Sequence, residues 1–205
     1  YRQGYICGAI KSDGYFKRYI KKNGRIHHRC QIVGDHEMME TCIKYANELG
    51  VPMKKANFNG GMYKHITWKA SCYDEPSFWT IESWFENTSP EYIRGFLAGF
   101  YDGDGSWTSA LKFHGKNKEQ MDDVLHKLTI AGFTAVYHRS AERRNYTLSL
   151  QGGDGETIRF ITWCQPKVFR KHKRWIEGQT QRGRATVLGV VPVGIQQVHN
   201  IETDC

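Results

Sequence analysis

No apolar stretch in this 205-residue chain runs beyond a few positions, so no segment reads as a bilayer span. The first residues lack the charged-then-apolar pattern of a secretory leader, and nothing in them suggests export. Six cysteines are present, yet none forms a CxxC pair and no two Cys/His pairs show zinc spacing. His27 and His28 are adjacent and would point to opposite faces of a strand. The cysteines are therefore expected to be reduced thiols, acting as small hydrophobes of an intracellular protein. Acid is in short supply as well. Lys and Arg number 29 against 21 Asp and Glu, a net charge of +8 with a pI near 9.2. That surplus makes a polyanion the first partner class to consider. What remains is a globular balance, 40% hydrophobic and 24% charged, which excludes a disordered or fibrous chain. The length suits one domain, or two small ones sharing a core.

The chain is written twice. Residues 4–14 read GYICGAIKSDG and residues 95–105 read GFLAGFYDGDG, each with glycine at the first and fifth positions and Asp-Gly at the end. Each copy continues through a polar hairpin to an amphipathic run that ends in glycine, Gly50 in the first and Gly132 in the second. Two alternating segments follow, then an aromatic helical stretch, FWTIESWF or IRFITW. The first hairpin is the longer by about nine residues and contains the turn sequence Asn23-Gly24. Each copy thus has the order αββαββα. The expected fold is α+β, two pseudo-symmetric halves about a two-fold axis, with the halves at residues 1–88 and 89–178.

The repeated helix carries the chemistry. Gly4, Gly8 and Ser12 are spaced four apart, as are Gly95, Gly99 and Gly103, giving each helix one face almost without side chains. Glycine costs roughly 1 kcal/mol per site inside a helix, so such a stripe calls for close backbone contact. Packed on each other, the two helices would bring Asp13 and Asp104 together at their C-terminal ends. An acid there meets the negative end of the helix dipole, and two acids repel each other. A divalent cation relieves both, and carboxylate oxygen is the ligand Mg²⁺ prefers.

These residues resemble the LAGLIDADG homing endonucleases, in the form with two motifs on one chain. Residues 97–105, LAGFYDGDG, match closely, and residues 6–14, ICGAIKSDG, more loosely. The repeat order extends the resemblance over residues 1–178. It implies that the motif helices form the interface and that antiparallel sheets form a saddle on DNA. It also implies that the eighth motif residues, Asp13 and Asp104, hold Mg²⁺ or Mn²⁺ beside the scissile phosphates. The implied activity is site-specific double-strand cleavage across the minor groove, leaving short 3′ overhangs, by a monomer on a long target site. Lys11 departs from the motif: the sixth position is structural in the family, is often acidic, and is Asp102 in the second copy. Within the basic run 165–175, Lys171 best fits the slot of the family's catalytic basic residue. The strand-to-helix junctions at Gly34 or Asp35 and at Lys116 or Asn117 are further metal-adjacent positions.

Alternation in the strands supports a DNA-binding face independently. Tyr15, Lys17, Tyr19 and Lys21 share one face, as do Arg25, His27, Arg29 and Gln31, and then Tyr63, His65, Thr67 and Lys69. Such a mix of aromatic, basic and amide groups suits a β-surface in a major groove. The second half offers Thr108, Lys112, His114, Arg139, Asn145, Thr147, Ser149 and Gln151, with less charge. Lys167 and Lys173 are expected to contact phosphates. Residues 179–205 form a tail in which 187–205 resemble the C-terminal splicing strands of inteins. That stretch lacks the final His-Asn and nucleophile, so self-splicing is not expected. Two other readings of the same fold are an RNA-splicing maturase and a catalytically silent DNA-binding protein. Localisation would be cytoplasmic or nucleoid-associated, or in an organelle or nucleus in a eukaryote.

Overall fold

The computed structural model describes residues 1–57, 68–72, 75–139 and 145–172. The first half runs α1 (Arg2–Asp13), β1 (Gly14–Ile20), β2 (Ile26–Gly34), α2 (His36–Glu48), β3 (Lys54–Asn57), β4 (Trp68–Cys72) and α3 (Glu75–Trp84). The second repeats the order with α4 (Pro90–Asp104), β5 (Gly105–Trp107), β6 (Leu111–Gly115), α5 (Lys118–Ile130), β7 (Ala135–Arg139), β8 (Tyr146–Leu150) and α6 (Gly153–Cys164), then a 3₁₀ turn at Phe169–Lys171. Each half is the expected αββαββα unit. The two four-stranded antiparallel sheets have equivalent orders, β1-β2-β4-β3 and β5-β6-β8-β7.

Local signals account for the boundaries. Ser89 accepts a hydrogen bond from the Tyr92 amide at 3.2 Å, and Pro90 starts α4 where a missing N–H is tolerated. Gly50 and Gly132 adopt φ of +78° and +76°, and the residues after them bond back to the Ala46 and Leu128 carbonyls at 2.8 Å. That left-handed closure explains why both amphipathic runs end in glycine. In the first hairpin, Gly24 takes φ +79° and its amide bonds to the Lys21 carbonyl at 2.9 Å.

The core sits where the two halves meet. α1 and α4 pack against each other through the glycine stripe, and Tyr5, Ile6, Ala9, Phe96, Leu97 and Phe100 around it are buried. A methyl group added at Gly4 or Gly8 would overlap the Tyr92 or Phe96 carbonyl, and one at Gly95 or Gly99 would overlap that of Tyr1 or Tyr5. Only glycine permits this approach. Cys7, Cys42 and Cys164 are buried free thiols, as expected of small hydrophobes.

Candidate functional site

α1 and α4 end side by side, and each is followed directly by the first strand of its sheet. Their last residues, Asp13 and Asp104, share a cavity of about 250 Å³ with Ser12, His114, Gly115, Lys116, Gln120 and Asn145. Close packing at the seam continues to this point, since a methyl at Gly103 would meet Asp13 Oδ2 at 3.0 Å. Neither carboxylate has a hydrogen-bond or ion-pair partner among the described residues. Burial, and then the charge of Asp13, push the Asp104 carboxyl up to about 7, against the pull of Lys171 and Lys116. Partial desolvation raises Asp13 as well, with Lys171 opposing it, although Asp13 keeps an exposed edge. Two crowded carboxylates that no described side chain bonds directly are a donor set that fits a divalent cation. Among the described residues no cluster of three or more His, Cys, Asp or Glu gathers. Any ion held here would complete its shell with water and phosphate oxygens.

The basic run after α6 is used largely inward. Lys171 Nζ donates to the carbonyls of Tyr101 at 3.0 Å, Gly103 at 2.6 Å and Gly105 at 2.9 Å. An ammonium has three N–H donors, and all three are taken by the end of the helix that carries Asp104. Phe169 N donates to Glu37 Oε2 at 2.8 Å, and Arg170 pairs with Asp35, both at the start of α2. The segment 165–172 is therefore a strap across both halves. Its anchor is Asp102, 1% exposed, which accepts from Tyr5 Oη at 2.6 Å, Lys167 N at 2.6 Å and Val168 N at 3.1 Å. Burial outweighs these bonds and holds its carboxyl up to about 6.

The same anchoring places Lys167, the expected phosphate contact. With its backbone fixed by Asp102, its side chain lines a cavity beside Tyr1 and Arg2, at the opposite end of the motif helices. Lys11, at the position matching Asp102, carries its ammonium out over the Phe85 ring, 5.2 Å from the centroid. The sixth motif position thus does different structural work in the two halves. Sequence reasoning placed Asp102 as structural but missed its partners. The available signal was a carboxylate in a helix otherwise made for burial, which must find donors.

The first sheet presents the expected face. Tyr15 lies opposite Gln31, Lys17 opposite Arg29, and Tyr19 opposite His27. Arg29 and Lys17 sit over the Tyr15 ring at 5.2 and 5.7 Å, and Tyr19 stacks on His27 at 5.7 Å. Lys21 and Arg25 extend into solvent at the hairpin end. Gln31 is 7% exposed, and its side-chain oxygen accepts from Arg29 Nε at 3.0 Å. On the other face Phe16 and Phe78 stack at 4.1 Å, tying the sheet to α3. Lys69 pairs with Val33 through the backbone register. Tyr63, His65 and Lys173, the tail 179–205 and the side chains of Lys69 and Arg139 lie outside the described residues.

The second sheet carries less charge, with Lys112 among mostly neutral polar groups. His114 accepts or donates at both ring nitrogens, to Ser106 Oγ at 2.7 Å and Thr147 Oγ1 at 3.1 Å. Lys112, Thr147, Ser149, His138 and Gln151 line a cavity of about 530 Å³ with it. His114 and the acids also share a cavity, so the acid pocket opens onto this face, with Asn145 at the junction. Arg139 pairs with Tyr146 in the backbone register.

No protein-family model and no curated protein matches the chain. Solved structures do. The homing endonuclease I-DmoI, in complex with DNA and Mn, is 18% identical at a TM-score of 0.65, covering 80% of this chain and 95% of its own. The homing endonuclease I-WcaI, bound to its DNA recognition sequence, is 16% identical at a TM-score of 0.58, with 84% of each chain covered. The N-terminal LAGLIDADG domain of DUF199/WhiA is 15% identical at 0.53, covering 80% of this chain and 83% of its own. The chain has the LAGLIDADG homing endonuclease fold.

Proposed function

We propose that this chain is a metal-dependent, site-specific endonuclease that cleaves double-stranded DNA as a monomer. The observation that carries the reading is the unpartnered pair Asp13 and Asp104, at the joined ends of the motif helices and at the start of both sheets. The DNA complexes of I-DmoI and I-WcaI support it, as does the cationic face of the first sheet. Lys17 directly opposite Arg29 is a like-charge pair that costs stability unless a polyanion lies over it.

Asp13 and Asp104 would hold Mg²⁺ or Mn²⁺ between them, one carboxylate from each half. Bound there, the ion supplies a more acidic water and offsets charge on the phosphate. The chain's own part is placement. Lys171 fixes the last carbonyls of α4 and hence the direction in which Asp104 projects. Lys116, which lines the acid pocket, adds positive charge that acts on Asp104. Lys17, Tyr19, Lys21, Arg25, His27 and Arg29 would contact one half-site, and Lys112, His114, Asn145, Thr147 and Gln151 the other. Cleavage across the minor groove with short 3′ overhangs, and residence wherever the target DNA lies, belong to the same proposal. The I-DmoI and I-WcaI complexes favour this reading over a maturase or a silent DNA-binding protein, although the fold also serves the DUF199/WhiA domain. The test is selection of cleaved sites from a random duplex library with Mg²⁺. A single enriched site that Asp104→Asn protein fails to cut is expected. Binding enrichment without any cut ends would overturn the nuclease reading.

A further inference from the structure

The cavity beside Tyr1 lies at the end of the motif helices remote from Asp13 and Asp104. It measures about 580 Å³, and Arg2, Lys44, Arg94 and Lys167 all line it, with Glu48 the single acid. Glu48 already pairs with Arg2 at 2.9 Å. Lys44 and Arg94 make no hydrogen bond or ion pair among the described residues, and Arg94 Nε is buried without an acceptor. The Arg94 guanidinium and the Lys167 ammonium sit over the same Tyr1 ring, 5.0 and 5.5 Å from its centroid. Burial and then the charge of Arg94 lower Lys167, with Asp102 as the opposing influence.

Like charges do not gather around a buried, unmet guanidinium donor unless something acceptor-rich comes between them. We propose that this cavity is an anion site and that its ligand is a phosphate group. A guanidinium fork and two ammonium groups offer donors from several directions, which suits a tetrahedral oxyanion better than a planar carboxylate. The elements that supply these groups are α1, α2, α4 and the strap, so a bound phosphate ties both halves together at the end away from the DNA face. The proposal is independent of the nuclease reading, and either can fail alone.

The test is titration of the full metal-free chain with inorganic pyrophosphate, followed by melting temperature and by ³¹P line broadening. A saturable rise in melting temperature with matching line broadening is expected, since a ligand of the native state stabilises it by mass action. Lys44→Met and Arg94→Met should each weaken binding by about tenfold or more, while Lys22→Met, an exposed hairpin lysine, should not. Lys44 is exposed, so its variant keeps the test valid if Arg94→Met fails to fold. A short single-stranded RNA that displaces pyrophosphate from wild-type protein would identify a nucleic-acid backbone as the source, and failure to displace it a free phosphate compound. No saturable response in the wild type, or equal weakening in Lys22→Met, would overturn the proposal.

Discussion

In the first half the exposed sheet face is cationic and aromatic, with Lys17, Arg29, Tyr15, Tyr19 and His27 in contact and no acid among them. In the second half the matching face carries Lys112 among mostly uncharged groups, and its His114 is already bonded to Ser106 and Thr147. The same contrast recurs at the sixth motif position. Lys11 leaves the seam for solvent, whereas Asp102 is buried and holds the strap. Pseudo-symmetry is therefore kept where backbones touch and abandoned where side chains meet solvent or the returning chain. The close approach of α1 and α4 admits one geometry, while a sheet face or a helix end tolerates many. On one DNA the first half should supply affinity and the second half selectivity.

The largest effect tests what the halves share. Asp13→Asn and Asp104→Asn should each remove double-strand cleavage in Mg²⁺, by at least about a thousandfold or 4 kcal/mol of barrier, while duplex affinity stays within a few-fold. Single-turnover assays against gel-shift titrations check this, and full cleavage by either variant would reject a shared acid pair. Gly8→Leu and Gly99→Leu should come next. Each forces apart backbones in contact, at about 1–3 kcal/mol or more, so melting should fall by several degrees in both. A drop in only one would mean that the seam is less symmetric than its glycines indicate.

How much of this could be read from residues alone follows the same divide. The glycine stripe dictated the helix pairing, because a face without side chains has little to pack except another backbone. Gly50 and Gly132 ended their helices for a purely local reason, a left-handed closure. Alternation in β1 and β2 assigned the two faces, because a period of two survives any register. The strap was not legible. Asp102 and Lys167 lie far apart in sequence, and in a run as basic as 165–175 nothing distinguishes a lysine that caps a helix from one that faces DNA. The Gln31 contact was equally hidden, since its partner is a neighbour on its own strand, Arg29.

Lys171 sharpens the comparison, because residues 74–88 of the first half contain no matching lysine. Lys171→Met should slow single-turnover cleavage by about tenfold, or 1.4 kcal/mol, and should also lower the melting temperature, since three carbonyls lose their donor. A loss of rate with unchanged melting would make it a group acting on the phosphate and not on α4. Lys167→Met should leave the rate at saturating enzyme unchanged. A smaller effect separates the sheets. Lys17→Met and Arg29→Met should each reduce the salt slope of duplex binding by about 0.9. Thr147→Val should leave that slope alone while relaxing preference at one base position. Equal salt slopes from both sheets would remove the division into affinity and selectivity.

The smallest effect is a pH dependence carried chiefly by the second half's carboxylates, with Asp13 raised in the same direction. Burial holds Asp104 up to about 7 and Asp102 up to about 6, both above the ordinary value near 3.9 of an unfolded chain. A carboxyl with a raised folded pKa binds its proton more tightly when folded. Its contribution to stability is therefore complete below about pH 4 and is lost as pH rises through 6 and 7. The metal-free protein should melt a few degrees lower at pH 8 than at pH 5. Mg²⁺ should recover much of that difference at pH 8 and little at pH 5, where Asp104 keeps its proton. Asp104→Asn should flatten the slope between pH 6 and 8 and remove the Mg²⁺ response, leaving the Asp102 portion between pH 4 and 6. Melting curves across that range, with and without Mg²⁺, decide the point. An unchanged slope in the Asn variant would mean that Asp104 stays ionised beside Asp13, so that the acid pair stores no repulsion for a cation to relieve.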